Sequence, residues 1–215
     1  MKTEIAKNIE TTSQEAQYDS CVKKLLSEKI ILAWILKECV EEFKPFSIRQ
    51  ILQESFEDDP QVSTAAVDQD ELDFEGESAD IGREDVPSKI EGMNVEDNSF
   101  REGKVFYDIR FSARVPGTKE PIRLIINLEA QKSDKTPYPI IKRAIYYVSR
   151  MISAQKNRVF TNSHYEKIRK VVSIWIQMSV DEDVANTITE YGIEEKNIVG
   201  NAKGDKRDYD LLSVI

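Results

Sequence analysis

The sequence is poor in soft metal ligands: one histidine, His164, and two cysteines, Cys21 and Cys39, occur among 215 residues. So few nitrogen and sulfur donors cannot form a conventional zinc site, which sets aside HNH and zinc-finger chemistry and leaves His164 as a surface or packing residue. Neither a GxGxxG fingerprint nor a Walker-type loop is present, which argues against dinucleotide and nucleoside-triphosphate chemistry. Ser149 and Ser163 stand outside any nucleophile-elbow sequence. Long apolar runs are missing too. The longest, Ile30 to Leu36, has seven residues, where a membrane span needs about twenty. No charged-then-apolar leader opens the chain, so the expectation is a cytoplasmic protein with no membrane partner. Cys21 and Cys39 fall in one expected helix, about 27 Å apart at roughly 1.5 Å per residue. They cannot pair across an intact helix, which suits a reducing compartment.

What is abundant is charge, at 32% of residues with a net of -9 and a mean hydropathy of -0.48. The negative excess is local. Residues 53–102 hold 17 acidic groups against 3 basic ones, and the remainder holds 22 against 27. A basic-leaning body with an acidic insert permits polyanion binding without requiring it.

The chain divides accordingly. Residues 1–16 are polar and aperiodic and read as a flexible tail; 17–215 read as a single domain with a flexible acidic insert at about 57–87. The insert is expected to be a solvated loop, with a DNA-mimicking autoinhibitory segment as the alternative. From Gln17 to Phe43, Leu25, Leu26, Ile30, Ile31, Trp34, Ile35, Cys39, Val40 and Phe43 recur at threes and fours, predicting one long amphipathic helix, stopped by Lys44-Pro45. A short helix from about Ser47 to Phe56 follows, capped by Ser47. Val105 to Val115 and Ile122 to Gln131 alternate apolar with polar residues around the turn Pro116–Pro121, predicting a hairpin. Tyr138 to about Lys156 is expected as a helix burying Ile141, Ile145, Val148 and Ile152. Val171 to Met178 is expected as a central strand, and Thr187 to Ile193 as an edge. The order gives an α/β fold with a mixed central sheet flanked by helices. Tyr209 to Ile215 turns apolar as the chain stops, the pattern expected of a truncated product.

If the hairpin pairs symmetrically about its six-residue loop, Asp108 lies opposite Glu129 on one face, where like charges repel and need an offset. Gln131 is on the same face, about 6.6 Å further along the strand. Two carboxylates and an amide oxygen together suit a hard cation such as Mg²⁺ or Mn²⁺; neutralisation by Arg110 or Arg123 is the open alternative.

These residues also carry a resemblance. Tyr107-Asp108-Ile109-Arg110-Phe111, Asn127-Leu128-Glu129-Ala130-Gln131 and the helix segment Arg143-Ala144-Ile145-Tyr146-Tyr147-Val148-Ser149-Arg150, in that order, resemble the PD-(D/E)XK nuclease family transposase group. That group is related to the recombination-promoting nucleases of the restriction-endonuclease-like superfamily. The resemblance runs from about Tyr18 to the end, with the acidic insert its least typical part. It implies a restriction-endonuclease-like core and a Mg²⁺-dependent DNA endonuclease linked to mobile elements or recombination. Asp108, Glu129 and Gln131 match its catalytic positions. Gln131 stands where the wider superfamily most often has lysine, so it can hold a water but supplies no positive charge. Asp108 and Glu129 would hold metal, with Glu96 an additional ligand if 94–97 forms the preceding strand; Asp19 and Glu42 are weaker candidates. Arg143, Tyr147 and Arg150, spaced i, i+4, i+7 and expected opposite the apolar stripe, are the DNA-binding candidates. Lys156, Arg158, Lys167, Arg169 and Lys170 add a basic segment. DNA is the implied partner, with a homodimer as the route to cutting both strands. The competing expectation is a catalytically inactive nuclease-fold protein that binds DNA or a protein.

Overall fold

A computed structural model of the chain describes residue 18 and residues 20–56, 59–62, 96–99, 103–117, 123–131 and 136–215. The N-terminal tail, most of the acidic insert, Asp19 and the hairpin loop beyond Gly117 lie outside the described residues. Among the described residues no helix is long and apolar enough to cross a membrane.

The expected N-terminal helix is broken. Residues 20–26 are helical, Ser27 and Glu28 form a turn, and α1 (Lys29–Cys39) starts after Glu28, whose backbone is extended at φ -63 and ψ 124. The buried face is also rotated from the expected stripe. Leu32, Ala33 and Leu36 are buried with Val40 and Phe43, while Leu25, Ile30 and Trp34 are exposed. The segment KIILAWIL is apolar nearly all round, so its period cannot choose a face. α2 (Ile48–Glu54) begins as expected: Ser47 and Gln50 form a reciprocal capping box.

Six strands make a mixed sheet in the order β1 (Gln61–Val62), β4 (Ile109–Arg114), β5 (Arg123–Gln131), β6 (Val171–Gln177), β8 (Leu212–Val214) and β7 (Tyr191–Gly192). β2 (Glu96–Ser99) and β3 (Gly103–Phe106) form a separate antiparallel pair. The expected first hairpin strand is thus interrupted at Tyr107 and Asp108, between β3 and β4. Gly117, at φ +68, makes the turn after β4, a left-handed conformation that costs glycine little. β5 runs through α3 (Ile140–Ser153) to the parallel strand β6, the crossover that parallel pairing requires. β6 is central, as its apolar run predicted. The C-terminal apolar residues form β8, an inner strand parallel to β6, and the edge expected over 187–193 shrinks to the two residues of β7. β1 pairs with Ile109 and Arg110, adding a short edge strand from the start of the acidic insert.

Alternation along the strands gives each face its own layer. Ile109, Phe111, Ala113, Ile126, Leu128, Val172 and Ile174 pack with Leu32, Leu36, Phe43 and Ile51. Ile125, Val171 and Val214 pack on the other face with Ala144, Tyr147, Val148 and Met151 of α3. α3 packs Ile141, Val148 and Ile152 inward as expected, but its buried face is wider on one side: Ile145 is exposed, and Tyr147 and Arg150 are buried. Gln155 ties down the loop after α3, accepting from Arg169 N–H at 2.8 Å and donating to Arg169 O at 2.9 Å.

Candidate active site

The antiparallel register of β4 and β5 pairs Ile109 with Leu128 and Arg110 with Asn127, the pairing that symmetry about the loop predicts. One step beyond the ladder, side chains replace backbone partners. The Asp108 N–H donates to Glu129 Oε1 at 3.2 Å, and the Ala130 N–H donates to Asp108 Oδ2 at 3.0 Å. This reciprocal bracket holds both carboxylates at the break between β3 and β4. It also satisfies two buried amide donors that the interrupted strand would leave without ladder partners.

The bracket gathers like charge in a buried place, which demands a nearby cation. The helical residues 20–26 supply one: Lys23 Nζ lies 2.9 Å from Asp108 Oδ1. Lys23 is 2% exposed, Asp108 6%, Glu129 3% and Gln131 8%. Lys23 was absent from the residues that the sequence singled out. Its one signal is the spacing Lys23, Leu26, Ile30, which puts it on a partly apolar helix face, and a lysine there ordinarily reads as solvated.

The other expected residues are placed as follows. Glu96 opens β2, with its Cα opposite Phe106, so residues 96–99 form a strand ahead of the hairpin, while residues 94 and 95 lie outside the described residues. Glu42 is elsewhere, bound to Lys170 Nζ at 2.8 Å, and Asp210 joins the same ammonium at 3.0 Å. Lys170 is therefore part of an ion-pair triad, and its pKa reflects a contest: burial pulls it down, but Glu42 and Asp210 outweigh burial and leave it raised. Lys156, Arg158 and Lys167 are exposed.

Arg143 and Tyr147 face the sheet and Arg150 is buried against Tyr146, contrary to the expected outward placement. Tyr147 packs edge-on to Tyr107, with centroids 5.4 Å apart, and lies 5.6 Å from Trp175. Arg143 Cζ stands 5.2 Å from the Tyr147 ring centroid and 5.4 Å from that of Trp175; Arg150 stands 5.9 Å from Tyr146, and Arg110 5.0 Å from Tyr107. Aromatic faces thus contribute to holding these guanidinium groups. Trp175 sits beside Glu129 in the parallel β5–β6 register. An arginine–aromatic layer therefore adjoins the carboxylate pair, and Arg143, half-buried, is the most accessible of the three DNA-binding candidates.

A cleft of 560 Å³ between the start of α3, the end of β6 and residues 180–191 is lined mainly by apolar groups, among them Ile141, Trp175, Val184 and Ile188. Neither carboxylate lines it. Its Cys39 thiol is pushed up by burial and then by Glu38, so it is a weak nucleophile. The chemically competent groups are at the bracket, not in this cleft. Among the described residues no cluster of three or more His, Cys, Asp or Glu is assembled. The hard-oxygen groups brought together are the Asp108 and Glu129 carboxylates, with Gln131 buried two residues further along β5, and the ammonium on Asp108 Oδ1 occupies a cation position there. That donor chemistry fits Mg²⁺ or Mn²⁺.

No family model, curated protein or solved structure matches the chain.

Proposed function

We propose that the chain is a metal-dependent DNA endonuclease with a restriction-endonuclease-like core, hydrolysing phosphodiester bonds in mobile-element or recombination chemistry. The observation that carries this reading is the bracketed Asp108–Glu129 pair, held by main-chain hydrogen bonds at a strand break and compensated by a buried cation. A structural salt bridge has no need of the second carboxylate, and two carboxylates in one buried place raise the electrostatic cost. Such a cost is characteristic of sites built for charge chemistry.

Asp108 and Glu129 would hold Mg²⁺ or Mn²⁺, with Glu96 at the start of β2 a further ligand. The bound ion would lower the pKa of a water and draw charge from the phosphate. Gln131, one alternation along β5 from Glu129, orients the attacking water through its amide. Arg143 is positioned by Tyr147, whose hydroxyl accepts from Arg143 Nε at 3.2 Å, and it offers cationic charge to a DNA phosphate. Arg150, held by Tyr146 at 3.1 Å, adds to the positive field behind it.

A second reading is a nuclease-fold protein without activity that binds DNA or a protein partner. It is favoured by Gln131, which brings no positive charge, and by the burial of the whole cluster. Plasmid nicking in Mg²⁺ and in Mn²⁺ separates the two. The enzyme reading expects nicking that chelator stops and that Asp108→Asn and Glu129→Gln each abolish. Nicking that survives full chelation overturns the site and its mechanism; DNA and metal binding without nicking favours the second reading.

A further inference from the structure

Lys23 stands where a substrate or metal would have to arrive. Its Nζ is on Asp108 Oδ1, while Oδ2 accepts from Ala130 N–H. Its helical residues end at a turn: Ser27 N–H reaches Lys23 O at 3.0 Å, Glu28 N–H reaches Leu25 O at 3.2 Å, and α1 restarts behind them. A helix broken there can move its first segment without disturbing α1, which is fixed in the core by Leu32 and Leu36.

We propose that Lys23 is a displaceable counter-cation of Asp108, so that divalent metal and the docked Lys23 ammonium exclude each other and residues 20–26 act as a metal-released cover over the carboxylates. This rests on the metal-site reading above and specifies how that site is regulated. Charge gives the direction. The ammonium brings one positive charge to Asp108 Oδ1, whereas a divalent ion brings two to the carboxylate pair, so exchange is favoured once the cation has shed enough water. The same displacement uncovers Asp108, which is otherwise shielded from substrate.

The test is Mn²⁺ binding to the full chain, followed by calorimetry and by the loss of free Mn²⁺ paramagnetic signal, with wild type beside Lys23→Met and Lys23→Met/Asp108→Asn. Removing the competing ammonium is expected to tighten Mn²⁺ binding about tenfold, at the low end of close charge-pair couplings. The Asp108→Asn change is expected to cancel the gain. Equal or weaker affinity in Lys23→Met overturns the cover while leaving the metal site standing; no binding by any form overturns both. A second measurement needs no variant. Amide exchange over residues 20–27 in the wild-type chain is expected to accelerate several-fold in saturating Mn²⁺, and unchanged or slower exchange there overturns the proposal even if Lys23→Met does not fold.

Discussion

Replacing Asp108 with alanine tests how much of the site is also structure. The side chain accepts a charge-assisted hydrogen bond from Lys23 and another from the Ala130 N–H, both in a buried setting. Losing the first costs about 1.5–3 kcal/mol, and leaving the amide without its acceptor costs about 1–3 kcal/mol more. Asp108→Ala is therefore expected to lose about 3–5 kcal/mol, the range for removing one member of a buried pair. For a chain of this size that lowers Tm by roughly 10 °C. Lys23→Met removes the cation from the same contact and leaves both carboxylates in place, so it is also destabilising. The double variant Lys23→Met/Asp108→Ala deletes both ends and is expected to cost less than the two singles together, by a coupling energy of about 2 kcal/mol. Urea unfolding of the four proteins, with the m-value unchanged, gives the cycle. Additivity within about 0.5 kcal/mol would refute the claim that the buried ammonium and Asp108 act as a pair. A practical consequence follows for nuclease assays. Asp108→Asn keeps an oxygen for the Ala130 N–H and separates lost chemistry from lost fold better than alanine does.

Lys170→Met is expected to cost about 2–3 kcal/mol at neutral pH, somewhat below the fully buried case because Glu42 and Asp210 remain partly exposed. Because the folded pKa of Lys170 is raised above 10.5, its stabilisation is complete below that value and is lost as pH climbs through the raised one. The gap between wild type and variant in urea unfolding should thus be constant from neutral pH to mildly alkaline pH and close in strong alkali; a gap that widens in strong alkali would contradict the sign. Ser47→Ala breaks the capping box of α2 and is expected to cost about 1 kcal/mol, with Ser47→Gly costing only a few tenths, read by the same unfolding curves. Gln155→Ala removes both hydrogen bonds to Arg169 and is expected to cost about 2 kcal/mol and to speed amide exchange at Arg169.

The hairpin register was legible because turn residues bracket a short loop and because period-two alternation allows no one-residue slip without exposing Ile126 and Leu128. The central position of β6 was legible from its unbroken apolar run. The break at Ser27 and Glu28 was not, since apolar residues at helical spacing continue on both sides of it. The face of α3 was misplaced for a related reason. A hydrophobic period scores Ile145 as buried and Arg150 as exposed; Ile141, Val148 and Ile152 do pack in the core, but Tyr147 joins them there against Tyr107 and Trp175, and Ile145 turns outward. β8 is only three residues long, too short to show alternation, and its strand state depends on pairing with β6 and β7.

The counter-cation of the carboxylate pair is the point at which sequence spacing and spatial placement part. Pairing two acids across a hairpin announces that positive charge must be near, and the sequence offers Arg110, Arg123 or a metal within a few residues. The structure brings Lys23 from the N-terminal helical segment, a long-range contact for which no local pattern exists. This bears on the contrast with Gln131. Position 131 brings no positive charge, and an ammonium displaced by a divalent ion is not held at Asp108 either, so in the metal-bound state the charge at the acids would come from the metal. The active and inactive readings then differ in one physical respect: whether residues 20–26 leave the carboxylates on a functional timescale. A cluster that stays closed, with Lys23 and Asp108 buried, is a fold-stabilising ion pair with a scaffold for partners. One that opens on binding a divalent cation has both acids, a mobile ammonium and the nearby Arg143 available at a phosphate, which is what hydrolysis there requires.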